Sequence, residues 1–116
     1  MPRQSIFDMP YAKVFPMLLQ KAVKKNRTED EVYAAASWLT GYTPEQLRDM
    51  LASDLTYGEF FEHAPQIHPH ASRIHGTVCG VRVETIEDPR MQQVRWLDKL
   101  VDDLARGKPL EKILPG

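Results

Sequence analysis

The chain has 116 residues, enough for one hydrophobic core and too few to expect two independent domains. Its 42% hydrophobic and 27% charged content is that of an ordinary soluble globule, and a net charge of −1 gives no global electrostatic case for nucleic acid, an anionic membrane or an acidic ligand. No apolar run approaches the roughly 20 residues a membrane helix needs, and the single cysteine, Cys79, cannot close an internal disulfide, so a reducing cytoplasm is the simplest compartment.

Residues 1–9 read as a loose arm ahead of a single helical domain over 10–116; Arg3, Gln4 and Asp8 interrupt any apolar core that a secretory signal would need. Pro10 can open a helix from Tyr11 to about Lys25. Pro16 lies inside it, removes one backbone donor and predicts a kink or a fresh start near Phe15. Val14, Leu18, Leu19 and Ala22 share a face, and Lys21, Lys24, Lys25 and Arg27 crowd the end, where cations suit the helix dipole.

One local device then repeats. Thr28 precedes Glu31, Thr43 precedes Gln46 and Thr56 precedes Glu59 at the spacing of a capping box, in which the Thr oxygen accepts a first-turn N–H and the Glu or Gln reaches back. The first box starts a helix with Val32, Ala35, Ala36 and Leu39 on one stripe, stopped by Gly41. The second starts a helix burying Leu47, Met50 and Leu51, with Tyr42 and Leu47 placed as a hydrophobic staple. The third starts a short helix bearing Phe60 and Phe61 and ended by Pro65, with Leu55 and Phe60 as its staple.

Residues 71–87 are ambiguous. Val81 and Val83 alternate as in a strand, but Ile74, Val78, Val81 and Thr85 recur at helical spacing, and Gly76 and Gly80 would form a smooth strip one turn apart. The segment reads as helix, with a short strand over 77–87 as the alternative. Asp88 before Pro89 starts the last long helix, to about Arg106, whose stripe is Val94, Leu97, Leu100, Val101 and Leu104; Gly107 ends it, and Pro109 opens a final turn with Leu110, Ile113 and Leu114. The fold class is therefore all-α, a single compact domain of five to six short helices, with the Pro89 helix packed on the 32–39 and 74–86 segments.

Three constellations carry chemistry. His63, His68, His70, His75 and Cys79 are ligand types suited to zinc, although their spacing matches no established zinc pattern; the plainer reading is a Pro-interrupted loop with Cys79 as a small core residue. A Cys79–His nucleophile pair has no nameable orienting partner. Arg82, Glu84, Glu87 and Asp88 form a dense polar cluster, readable as a ligand or acid–base site or as a salt-bridged helix junction. Ser37 to Leu51 partly resembles a helix-turn-helix, but Glu45, Gln46, Arg48 and Asp49 make a poor surface for phosphates, and nucleic acid is not expected as a partner. Trp38 and Trp96 read as core anchors, with an interface role as the alternative.

The runs Trp38 to Thr43, Cys79 to Glu84, Ile86 to Pro89 with Met91 and Gln92, Leu97 to Leu100, and Gly107-Lys108 before Lys112-Ile113-Leu114 resemble the small bacterial family known as domain of unknown function 2200, from about Ile6 to Leu114. The resemblance implies a bacterial protein of this length and no particular activity. The family segment matching His68-Pro69-His70 reads Asn-Pro-Asn or similar, which implies a helix start with residue 68 as cap and weakens the metal reading. The polar cluster at Arg82 to Asp88 lies inside a family-like block.

The expected function is a non-enzymatic binding or interaction module without a cofactor, its candidate partner a second copy of the chain docked through a face presenting Trp96. The alternatives are a metal or acid–base site in the 63–88 region and a helix-turn-helix regulator.

Overall fold

A computed structural model describes residues 6–78 and 80–114. Within them lie six α-helices, α1 (Tyr11–Val23), α2 (Glu29–Thr40), α3 (Pro44–Asp49), α4 (Tyr57–Glu62), α5 (Pro89–Ala105) and α6 (Leu110–Ile113), joined by short 3-10 turns and one small hairpin. No helix among the described residues is long and apolar enough to cross a membrane.

All three capping boxes close. The Thr28, Thr43 and Thr56 hydroxyls accept the N–H groups of Glu31, Gln46 and Glu59, and those side chains accept the threonine N–H in return. Asp88 caps α5 by accepting the N–H of Arg90 at 3.0 Å, with Pro89 in the first turn. Gly41 and Gly107 stop α2 and α5 at φ values of 83° and 94°, a region that disfavours side chains. Hence the helix boundaries follow the local sequence closely.

Two segments differ from their sequence reading. First, α1 runs past Pro16 without a break, where a kink or fresh start is expected. Pro16 forfeits only the bond to the Ala12 carbonyl, close to the helix start, and buried residues on both sides of it (Tyr11 and Phe15 before, Leu18 and Ala22 after) hold the helix to the core. Second, residues 71–87 are not a helix. Ala71–Arg73 is a 3-10 turn, β1 (Thr77–Val78) pairs antiparallel with β2 (Val81–Arg82), and Val83–Thr85 is another 3-10 turn. Gly76 and Gly80, which on a helix would form a packing strip, take φ values of 115° and 77° and so interrupt any helix. The strand alternative holds for the hairpin only. No helix starts at residue 68: the His68 ring nitrogen Nδ1 accepts the His70 N–H at 2.9 Å, and the 3-10 turn that follows, Ala71–Arg73, has His70 as its N-cap without a side-chain bond.

Residues 6–9, read from sequence as part of a loose arm, are tied down. Ile6, Phe7 and Met9 pack against the core, Tyr57 donates its N–H to the Met9 carbonyl, and Tyr11 donates to that of Leu55, both at 2.8 Å. Residues 1–5 lie outside the described residues.

The core has α5 at its centre. Val94, Leu97, Leu100, Val101 and Leu104 are buried against α1 and α2, and other faces of α5 meet α4, α6, β1 and the turn after β2. The expected packing on the 32–39 and 74–86 segments is present, with α1 as a further major neighbour. An aromatic cluster of Tyr11, Phe15, Tyr33, Tyr42, Tyr57, Phe60 and Phe61 fills the other end. Tyr11 and Tyr42 donate to the carbonyls of Leu47 and Phe60, each at 2.8 Å, so their hydroxyls are satisfied inside the protein. Tyr57 is fully buried, its hydroxyl has no partner among the described residues, and burial drives its pKa well above the usual range.

Two expectations follow from this packing. Tyr57→Phe removes a buried hydroxyl that gains nothing, and should raise stability by about 1 kcal/mol in urea unfolding; a loss of that size would contradict the assignment of the hydroxyl as unpaired. The Glu31 and Glu59 carboxyls are held below their ordinary range chiefly by the backbone N–H of Thr28 and Thr56. A lowered folded-state pKa means the unfolded chain takes up protons first, so this contribution is present above pH 4.5 and fades as pH falls below it. Replacing both residues by Gln, which Gln46 shows is compatible with the box, should flatten the acid limb of a Tm-against-pH curve; an unchanged slope would count against it.

Candidate functional site

The polar cluster anticipated at Arg82, Glu84, Glu87 and Asp88 does not line the cavity described below. All four residues are exposed. Arg82 and Glu84 lie 3.5 Å apart, and Asp88 is committed to capping α5. Glu84 serves the backbone. Its Oε2 accepts the N–H of Gly76 at 3.1 Å, and its own N–H together with this bond holds its carboxyl below the ordinary range. Glu84 therefore ties down the loop ahead of β1.

The histidines separate. His63 is the exposed C-cap of α4. His68 stacks on Trp38 with ring centroids 4.0 Å apart and planes 14° apart, and His70 lies 5.3 Å from His68, centroid to centroid. His75 is on a different stretch and donates from Nδ1 to the Arg73 carbonyl at 3.0 Å. Among the described residues no three His, Cys, Asp or Glu side chains are arranged to hold one metal ion. Cys79, which both the metal set and the nucleophile pair would use, lies outside the described residues.

Other sequence candidates are absorbed by the fold. Trp96 is only 8% exposed, so the face expected to present it to a second copy of the chain does not do so. Trp38 is half-buried under the His68 ring. The second helix of the helix-turn-helix reading, α3, has six residues, and its Arg48 is occupied by Asp30 at 3.1 Å and by the face of Tyr33 at 4.7 Å.

A cavity of about 270 Å³ opens elsewhere, where the loop before β1 meets the C-terminal part of α5 and the last helix. The loop contributes Arg73, Ile74 and His75; α5 contributes Lys99 and Asp103; Lys108 follows α5; and α6 contributes Lys112 and Ile113. Four fixed cations thus face one carboxylate in a chain whose net charge is −1. Lys99 and Asp103 form the deep part: their side chains are 10% and 12% exposed and joined at 2.7 Å. Lys108 approaches the same Asp103 oxygen, Oδ1, at 3.7 Å from an exposed position. Neither Arg73 nor Lys112 has a carboxylate within ion-pair distance among the described residues, and both are exposed at the rim.

Gly76 shapes this corner. A Cβ on it would sit 2.7 Å from Lys99 Cε and 3.2 Å from Nζ, so the loop backbone lies directly on the lysine tail. That approach, secured by Glu84, folds the Arg73–His75 stretch over α5 and creates the cavity wall.

Sequence reasoning missed this site, although one signal was available. On a helix, Lys99 and Asp103 fall on the same side as the buried Trp96, Leu100 and Leu104, so a cation and an anion interrupt an apolar surface one turn apart. Arg73, Lys108 and Lys112 gave no such signal, because only tertiary folding brings them to it.

Comparison with known proteins agrees with the fold and adds no activity. A crystal structure of the uncharacterised protein SP1917 is similar over 97% of this chain and 93% of that one, with 42% sequence identity and a TM-score of 0.92. No curated protein matches the chain. The family model described as an uncharacterised protein conserved in bacteria matches residues 5–115, and the chain belongs to that family, DUF2200.

Proposed function

We propose that the protein is a binding module that takes a small anionic molecule in the cavity between the loop before β1 and the last two helices. The observation that carries this reading is the local excess of positive charge. Arg73, Lys108 and Lys112 stand at the rim, while the buried Lys99 is already neutralised by Asp103. Three cations around one concave surface reinforce one another's attraction for an anion, and a partly enclosed wall strengthens that field relative to open water. Ile74 and Ile113, both buried, give the wall an apolar part against which a carbon skeleton can rest. Composition alone gives no case for an acidic ligand; the excess here is local, and a net charge averages it away.

Thermal unfolding in rising inorganic phosphate, against potassium chloride of equal ionic strength, tests the reading. Specific binding should raise Tm with the logarithm of phosphate concentration once that exceeds Kd, the gain in stability reaching about 2.7 kcal/mol when phosphate is 100-fold above Kd. Arg73→Gln and Lys112→Gln should each remove most of the shift while leaving the Tm of the free protein unchanged, since neither side chain has an ion pair to lose among the described residues. A shift no greater than that in chloride would contradict it.

A further inference from the structure

Asp103 neutralises the buried Lys99 through one oxygen only, and its second carboxylate oxygen is left over in a cavity that otherwise carries cations. The residue is 9% exposed, it lines the cavity, and both of its cationic neighbours use the same oxygen: Lys99 Nζ at 2.7 Å and Lys108 Nζ at 3.7 Å contact Oδ1. Oδ2 makes no hydrogen bond to any described residue. Oδ2 is not among the buried unpartnered atoms, so it is open to solvent, and a ligand that supplies a donor there replaces water at an oxygen the protein leaves free.

The surroundings of Oδ2 restrict what the donor can be. An ammonium group would have to sit beside Lys99 and within reach of Lys108, where it meets like charge on two sides. A hydroxyl brings a donor with no charge. The rim, in contrast, holds Arg73 and Lys112 with no carboxylate partner among the described residues, and suits the anionic end of the same molecule. Between rim and floor the buried Ile74 and Ile113 offer an apolar stretch for a short carbon chain.

Resting on the anion-binding reading above, we infer that the ligand is a hydroxylated organic anion, a phosphorylated or carboxylated polyol. Its anionic group meets Arg73, Lys108 and Lys112, and a hydroxyl at its other end donates to Asp103 Oδ2. Bound this way it spans the cationic rim and the Asp103 floor and rests its carbon chain on Ile74 and Ile113, which a bare inorganic anion cannot do.

Isothermal titration at constant ionic strength with four probes separates the possibilities: inorganic phosphate, propyl phosphate, glycerol 3-phosphate and phosphoethanolamine. Glycerol 3-phosphate should bind at least tenfold more tightly than propyl phosphate, which has the same carbon chain without hydroxyls, and more tightly than phosphoethanolamine, whose donor is charged. Lys112→Gln should weaken glycerol 3-phosphate and propyl phosphate alike and preserve their ratio; Asp103→Asn, if it folds, should reduce the ratio. Equal binding of glycerol 3-phosphate and propyl phosphate overturns the inference and leaves the anion site standing, as does a preference for phosphoethanolamine. Failure of all four probes to bind overturns the anion site itself and the inference with it.

Discussion

The ion pair between Lys99 and Asp103 occupies a face of α5 that would otherwise be core. Trp96, Leu100 and Leu104 on the same side are buried, and the two charged residues stand among them, one helical turn apart. Taking both charges out of water costs several kcal/mol per ion, an order-of-magnitude figure that mutual attraction at short range only roughly offsets. The pair is therefore poor evidence of stabilisation and good evidence of placement. It fixes where the loop before β1 can lie, because Gly76 rests on the lysine tail and a larger residue would collide with it. It also fixes the floor of the cavity, since both members of the pair line the space that the loop encloses.

Several charges elsewhere on the chain are paired in place. Asp98 and Asp102 on the same helix are matched by Arg95, Lys21 and Arg106. Asp98 is partly buried, and burial raises its pKa above the ordinary range against the pull of Arg95. The acids of the first turn of α2, Glu29, Asp30 and Glu31, lie at the helix end where negative charge is favoured, with Asp30 and Glu31 also held by Arg48 and Arg27. Once these pairings are made, Arg73 and Lys112 remain uncompensated at the cavity rim among the described residues. A net charge near zero thus coexists with a concentrated positive site, because opposite charges elsewhere neutralise one another.

Local rules made the helices legible. Thr28, Thr43, Thr56 and Asp88 each satisfy an orphan N–H within three residues of themselves, an interaction that needs no knowledge of the tertiary fold. The apolar stripe of α5 was legible for the same reason. Residues 71–87 were not, because their spacing fits helix and strand alike, and the positive φ of Gly76 and Gly80 that breaks the helix accompanies a close approach of Gly76 to Lys99, twenty-three positions away in the chain. The site followed the same division. Arg82, Glu84, Glu87 and Asp88 stood out as a run of charge, and the fold uses Glu84 and Asp88 for backbone bonds. Arg73, Lys99, Lys108 and Lys112 come from four separate segments, and no sequence pattern joins residues that only packing brings together.

The central claim is that the positive corner is one site. Backbone amide chemical shifts of the isotope-labelled protein, followed as inorganic phosphate is added at constant ionic strength, test it most directly. The account predicts saturable shifts confined to residues 73–76, 99, 103, 108 and 112–113, with one affinity for all of them. Weak, non-saturating shifts spread over the other exposed lysines, Lys13, Lys24 and Lys25 among them, would contradict it.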